Sequence, residues 1–423
     1  MDKQLLTAEL LEAAFSCGRS LQKSLALPGM PKLCAALADS LLARTWQPGQ
    51  YTRFAVQEPK LREIFAPAFA DRVVEAWLTA LVEEPLSRLL IDDTYANRKG
   101  KGTHAAIAKT QKFMRQPGHV WCLQLDVRGF FHSIHRPTLL SGWLAFLGGL
   151  DGLNLPPERR DLAAYISTAL LERSPAGNHH TVKSSRSLLA QVPPQKSLLG
   201  SGPDTGLPIG SAASQHFANF YLNGLDHHIK HTLRVRGYIR YMDDLLLLGP
   251  DTQTLLTWRD AVAAYCKDRL RLELHSGKEQ ITKSGQGIVY LGYKVYPHHL
   301  HIHSRSVSAL KARLDFFKHL FQPERFPLCQ KPMRGVWQSI FKDWIPACAG
   351  MTGGLAPPLQ PSWSLLKRME ATINSYYGLM GHAQSYSLRK TLYHKHFGPL
   401  RSYFLPADAG YSAVSVVKRF LYQ

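Results

Sequence analysis

The chain predicts an α+β fold, and three features of the sequence carry the prediction. From Tyr51 to about Pro297, short apolar runs alternate with longer helical stretches. Two of those runs, Cys122-Leu-Gln-Leu-Asp126-Val and Gly237-Tyr-Ile-Arg to Leu245-Leu-Leu-Leu248, read as strands, the second folded on itself as a hairpin. On either side of this body the apolar spacing is helical.

Taken in order, residues 4 to about 46 place Leu5, Leu6, Leu10, Leu11 and Ala14, then Leu33, Ala36, Leu41 and Leu42, at helical spacing. Leu27-Pro28-Gly29 breaks the run. In Cys122–Val127 the alternation sets Leu123 and Leu125 on one face and Gln124 and Asp126 on the other, and Arg128-Gly129 ends the strand. Gly206-Leu-Pro-Ile-Gly210 is a tight turn, Ser211 a helix N-cap, and Ala213, Phe217, Phe220, Leu225 and Ile229 a buried helical stripe. After His298 the chain turns mostly helical and basic, as in Ser306 to Phe321 and Trp363 to Leu379. Between them, Pro323 to Pro361 is aperiodic, with a Pro- and Gly-rich centre from Trp344 to Pro358, and reads as an insertion or surface loop. The division expected is 1–50 an N-terminal helical region, 51–300 a core, and 301–423 a helical unit carrying the insertion near 323–361.

At 423 residues the chain has room for two or three domains. Its 51 Lys and Arg against 31 Asp and Glu give a formal charge of +20, which suggests a polyanionic partner, most simply nucleic acid. Six scattered cysteines form no CxxC pair and read as thiols in a reducing compartment. With no leader pattern and no stretch approaching a membrane span, the expected location is the cytoplasm, without a membrane partner. His227 and His231 at i and i+4, and the alternating His299, His301 and His303, lack the cysteine pair or HExxH glutamate of a zinc site and read as polar surface or nucleic-acid contacts.

The chemistry concentrates at Tyr241-Met242-Asp243-Asp244. Asp is depleted from strands, and a carboxylate is costly to desolvate unless it is paired or binds a metal. A polar two-residue turn would explain the pair by itself. Asp126, at a strand end, supplies the third carboxylate that a two-Mg²⁺ phosphoryl-transfer site requires.

In this order the segments resemble a reverse transcriptase palm: Leu125-Asp126-Val-Arg-Gly-Phe-Phe131, Leu207-Pro-Ile-Gly-Ser-Ala-Ala-Ser-Gln215, Tyr241-Met-Asp-Asp244 and Tyr290-Leu-Gly-Tyr293. Pro59-Lys60-Leu-Arg62, Asp71-Arg72-Val-Val74 and Ala96-Asn-Arg98-Lys-Gly-Lys-Gly102 are similar to finger motifs of bacterial retroelement enzymes, and Asn374-Ser-Tyr-Tyr-Gly378 with His382-Ala383 to their thumb. Where most relatives carry Gln-Gly and then Ser-Pro, this chain has Ile209-Gly210 and Ser214-Gln215, followed by Phe217-Ala-Asn-Phe-Tyr-Leu-Asn223. That pattern resembles the reverse transcriptases of diversity-generating retroelements, which copy a template repeat RNA with errors at adenines.

The resemblance implies a right-hand fold of fingers, palm and thumb and an RNA-directed DNA polymerase using dNTPs and two Mg²⁺, with Mn²⁺ able to substitute. It implies that Asp126 and Asp243 bridge both metals, that Asp244 completes the site, and that Val127 belongs to the metal set. It places Phe131 under the sugar as a gate, although a core aromatic is the plainer alternative. Lys60, Arg62 and Arg98 would hold the triphosphate, with solvated charge as the rival reading; Gly210 would lie at the nucleotide and Lys278 near pyrophosphate. Ile209 stands where a glutamine normally contacts the incoming nucleotide, which with Ser214 and Gln215 bears on fidelity. Partners implied are template RNA, cDNA and an accessory helical-bundle oligomer. The alternatives are a retron-like or group II intron-like enzyme, or a catalytically inactive nucleic-acid-binding relative.

Overall fold

The computed structural model describes residues 1–17, 29–56, 60–152, 155–173, 176–177, 179–322, 325 and 362–417. Pro59, the break at Leu27-Pro28 and the segment Trp344 to Pro358 lie outside them. The chain divides into two compact units, residues 1–109 with 117–281 and residues 110–116 with 282–423.

In the first unit the helix Lys3–Ser16 starts where the Asp2 side chain accepts from the Gln4 amide at 3.0 Å. This helix and Met30–Leu42 bury Leu6, Leu10, Ala14, Leu37 and Leu41 in one core with Val73 and Trp77 of the helix Phe69–Leu89. Trp77 also donates to Glu9 at 2.8 Å. The N-terminal helices thus pack into the core of the larger unit.

β1 (Tyr51–Val56) and β2 (Arg62–Ala66) form an antiparallel hairpin in the register Thr52↔Ala66 to Val56↔Arg62. The central sheet combines β3 (Trp121–Asp126), β5 (Gly237–Tyr241), β6 (Asp244–Gly249) and β7 (Gln280–Lys283) in the order β5-β6-β3-β7, and β4 (His180–Val182) lies parallel to β1. Leu245, Leu246, Leu247 and Leu248 are all buried, so β6 is covered on both faces. At about 1.5–3 kcal/mol for each buried leucine, this strand is a strong anchor for what it carries.

The helix Ala212–Tyr221 begins at Ser211, as its N-cap pattern predicts, but breaks at Leu222. Leu225 and Ile229 continue the buried stripe from a short helix, Asn223–His227, and a π-turn, His228–Thr232. Phe217 and Phe220 meet Trp143 edge-on at 4.8 and 5.1 Å.

The second unit holds a small sheet of β8 (Ile288–Tyr290), β9 (Tyr293–Val295) and β10 (Leu300–Ile302). Leu291 and Gly292, at φ 49° and 89°, make the two-residue turn between Tyr290 and Tyr293, both in the left-handed region that suits a right-twisted hairpin. Three helices, Ser304–Phe321, Trp363–Gly381 and Tyr386–His396, share a core that includes Leu310, Leu314, Phe317, Leu366, Met369 and Ile373. β11 (Phe404–Pro406) and β12 (Val414–Val416) close it, and Asn374 brackets Val414, donating to its carbonyl at 2.9 Å and accepting from its amide at 2.8 Å.

Candidate active site

The antiparallel register of β3 and β6 sets Asp126 directly opposite Asp244, and β5 pairs Tyr241 with the same Asp244. Met242 and Asp243 are the two turn residues of the β5–β6 hairpin. Met242 sits at φ 56°, a left-handed conformation that costs a non-glycine residue about 1–2 kcal/mol. The surrounding structure must supply that cost.

It does so through Arg240, whose side chain is wholly buried. Its guanidinium pairs with the equally buried Asp226 at 2.7 Å, donates to the Asn219 side chain at 3.0 Å, and donates to the Met242 carbonyl at 3.1 Å. Tyr238 donates to Asp226 at 2.7 Å, and the Asn219 amide group donates to the Ala96 carbonyl at 2.8 Å. A buried charge pair whose remaining hydrogen-bonding groups are satisfied locks one geometry. Here that geometry is the position of the acidic turn.

The carboxylates themselves are crowded. Burial, then the charge of Asp126, raises the pKa of Asp243 above the ordinary carboxylate range. Burial, then Asp243 and Asp126, pushes Asp244 up to about 7. Cations offset this only in part. The Lys278 ammonium donates to both oxygens of Asp126, at 2.6 and 2.7 Å. Arg62 on β2 and the exposed Lys60 act at longer range on Asp243 and Asp244 respectively.

Oxygen donors carrying excess negative charge are what a hard divalent cation takes. Among the described residues no three His, Cys, Asp or Glu side chains converge as a metal cluster, and Lys278 engages Asp126. Val127 could contribute only its carbonyl. It bridges to Leu274 through flanking hydrogen bonds, Arg128 N–H to the Glu273 carbonyl and His275 N–H to the Asp126 carbonyl, both 2.8 Å. Its own carbonyl therefore points away from that bridge.

The Leu207–Gly210 turn lies against β2, where Phe65 donates to the Ile209 carbonyl at 2.8 Å. Gly210, at φ 123°, has no room for a side chain: a Cβ there would stand 2.8 Å from the Phe65 carbonyl oxygen. Phe131 is half-buried, edge-on to Phe130 at 5.6 Å, and its carbonyl accepts from Leu207 at 2.7 Å. Ser214 is buried and donates its amide to Ser211 at 3.2 Å, whereas Gln215 is exposed.

Arg98 stands differently from the expectation. Its fork donates to the carbonyls of Ile91 and Ser87, at 2.7 and 2.9 Å, and to the Thr94 and Ser87 hydroxyls. A guanidinium held in this way ties Ile91 and Thr94 to Ser87, and its Nε is buried without a partner among the described residues, so no exposed edge faces a triphosphate. His303 likewise caps the helix Ser304–Phe321 by accepting from Arg305 at 3.1 Å, and His299 stacks on Tyr296 with His301 tilted against both.

Pattern reading passed over Glu75, Asn219, Asp226, Tyr238 and Arg240. Glu75, 1% exposed, accepts from the Ser211 hydroxyl and the Ala212 amide, both at 2.9 Å, and so caps the helix Ala212–Tyr221. Burial pushes its pKa up to about 7. The one local signal was an arginine inside an otherwise apolar strand.

The reverse transcriptase (RNA-dependent DNA polymerase) family matches residues 57–295, more than half of the 423. The chain belongs to the reverse transcriptase family. The matched span contains the acidic hairpin, Asp126, the Leu207–Gly210 turn and Lys278 of this reverse transcriptase. No curated protein matches the chain. Among solved structures it is similar to telomerase from Candida albicans in complex with a fragment of telomeric RNA, at 12% identity and a TM-score of 0.42 over 84% of this chain and 58% of that one. It is also similar to apo telomerase from Candida tropicalis, at 11% identity and a TM-score of 0.43 over 64% and 52%. The chain thus spans little more than half the length of these telomerase chains. Among the described residues no helix is long and apolar enough to cross a membrane.

Proposed function

We propose that this reverse transcriptase extends a DNA primer on an RNA template by Mg²⁺-dependent phosphoryl transfer at Asp126, Asp243 and Asp244. The observation that carries the proposal is the placement of Asp126 opposite Asp244, with Asp243 in the adjoining turn held by buried Arg240. These carboxylates, with the Val127 carbonyl, would hold the two ions, which when bound favour attack by the primer 3′-oxygen and departure of pyrophosphate. Lys60 and Arg62 would meet the triphosphate, being cations that already act on these carboxylates from the start of β2 and the residues just before it. Lys278, now on Asp126, would pass to the leaving phosphates. Phe131 would pack beneath the deoxyribose and exclude a 2′-hydroxyl. Asp243→Asn preserves volume and removes charge, so primer extension should collapse while RNA binding survives. Extension at the wild-type rate would refute the assignment.

Within the family, the Ile209-Gly210 and Ser214-Gln215 pattern favours the diversity-generating type, working with an accessory helical-bundle protein on a template repeat RNA. An aliphatic side chain at 209 offers no hydrogen bond to the nascent base pair. Ile209→Gln should lower misincorporation opposite template adenine more than opposite other bases, read from sequenced cDNA with the accessory protein present. A wild type without excess errors at adenine would end this subtype reading and leave the polymerase reading intact.

A further inference from the structure

At the end of β5 away from the acidic turn, the larger unit carries an open groove of about 650 Å³ lined by Arg88, His227, Lys230, His231, Arg234 and Arg236. Gly237 opens β5, so about six residues of strand at ~3.3 Å each separate the groove from Asp243, roughly 20 Å. It is therefore not part of the site described above.

Two aspartates also line it, and both are already neutralised from within the fold. Asp93 is clasped by Lys109 at 2.9 Å and Lys230 at 2.8 Å, and Asp92 by Lys101 at 2.5 Å. Among the described residues Arg88 meets only the exposed Glu84 on its own helix, a pair worth little in water. Arg234 and Arg236 are exposed and have no ion-pair partner among the described residues. The local backbone is unusual as well. His228–Thr232 is a π-turn, and Arg234 follows at φ 53°. Such interruptions cost energy and concentrate where a surface is used. The rings of His227 and His231 stack nearly parallel, 5.4 Å apart, and present a flat face between the cationic groups.

We propose that this groove binds the phosphate backbone of RNA lying outside the primer–template duplex, as a second anchor for the molecule being copied. Guanidinium forks with free edges suit phosphate oxygens, and flat imidazoles suit exposed bases or sugars. An RNA chain is already held by the same protein if the polymerase reading stands, and on that reading the proposal rests. A chain of formal charge +20 favours RNA over an acidic protein surface only in general, so the test separates them.

The full-length protein would be titrated, without dNTPs, with two probes: a primer–template hybrid trimmed to its duplex, and the same hybrid flanked on both sides by long RNA. The double variant Arg234→Gln with Arg236→Gln alters only exposed side chains. Losing two phosphate contacts should lower the slope of log affinity against log salt by about 1.5 for the long probe. The wild-type advantage on that probe would then be about eightfold larger at ~50 mM than at ~200 mM salt. Affinity for the trimmed hybrid and extension on it should not change. Unaltered affinity and slope on the long probe would overturn the proposal. If instead the variant kept its RNA affinity but lost retention on immobilised polyglutamate, the groove would belong to an acidic protein and the RNA proposal would fail. Tight, groove-dependent binding of long RNA by a chain that extends no primer would sink the polymerase reading alone.

Discussion

Replacing Arg240 by methionine should separate what the buried ion pair does for stability from what it does for the acidic turn. The substitution keeps an apolar stem but removes three contacts to Asp226, at 2.7, 2.8 and 3.0 Å, two to Asn219 and one to the Met242 carbonyl. Asp226 is left fully buried, with the Tyr238 hydroxyl as its remaining side-chain donor among the described residues. Removing one partner of such a pair costs about 3–5 kcal/mol, because the remaining charge is desolvated without compensation. Adding Asp226→Leu removes that charge and leaves only neutral groups unpaired, at about 1–3 kcal/mol. The double variant should therefore recover about 2 kcal/mol relative to Arg240→Met, measured by urea unfolding followed through tryptophan fluorescence. Primer extension should not recover with it. Both variants lack the donor to Met242, and an error of about 1 Å in a catalytic group lowers the rate on the order of a hundredfold. A single variant within about 1 kcal/mol of wild type, or a double variant that regains extension, would refute the positioning role of Arg240.

Two further outcomes follow from the same geometry. Glu75 titrates near 7 in the folded protein against an ordinary 4.5, so the native state binds the extra proton between those values and stability falls as pH rises through that window. Glu75→Gln should abolish this fall, gaining on wild type between pH 5 and pH 8 by on the order of 3 kcal/mol in urea midpoints at matched slopes; parallel pH profiles would show that Glu75 does not titrate there. Phe131→Val should raise ribonucleotide incorporation relative to dNTP use if the ring lies under the sugar, and unchanged selectivity in competition assays would return Phe131 to a packing role beside Phe130.

Local pattern was enough for several pieces of this protein. The alternation around Leu123 and Leu125 marks β3, the apolar flanks of Tyr241–Asp244 mark a hairpin, and Ser211 marks a helix start, because each depends on neighbours within a few residues. Motif order was likewise enough for the family. The partners of these pieces were not legible. Lys278 reaches Asp126 across 152 positions, and Glu75 reaches Ser211 across 136. Neither contact has a period or a turn to announce it. Arg98 and Arg240 show the same limit from both sides. In the sequence each is a positive charge without a visible partner, one expected at a triphosphate and the other passed over. In the fold Arg98 is consumed by a loop's carbonyls, while Arg240 lies wholly inside, paired with Asp226 beneath the acidic turn. Sequence alone determines which charges exist and which strands carry them; tertiary packing decides which charges lose their water, and a desolvated charge must find a partner wherever the fold brings one.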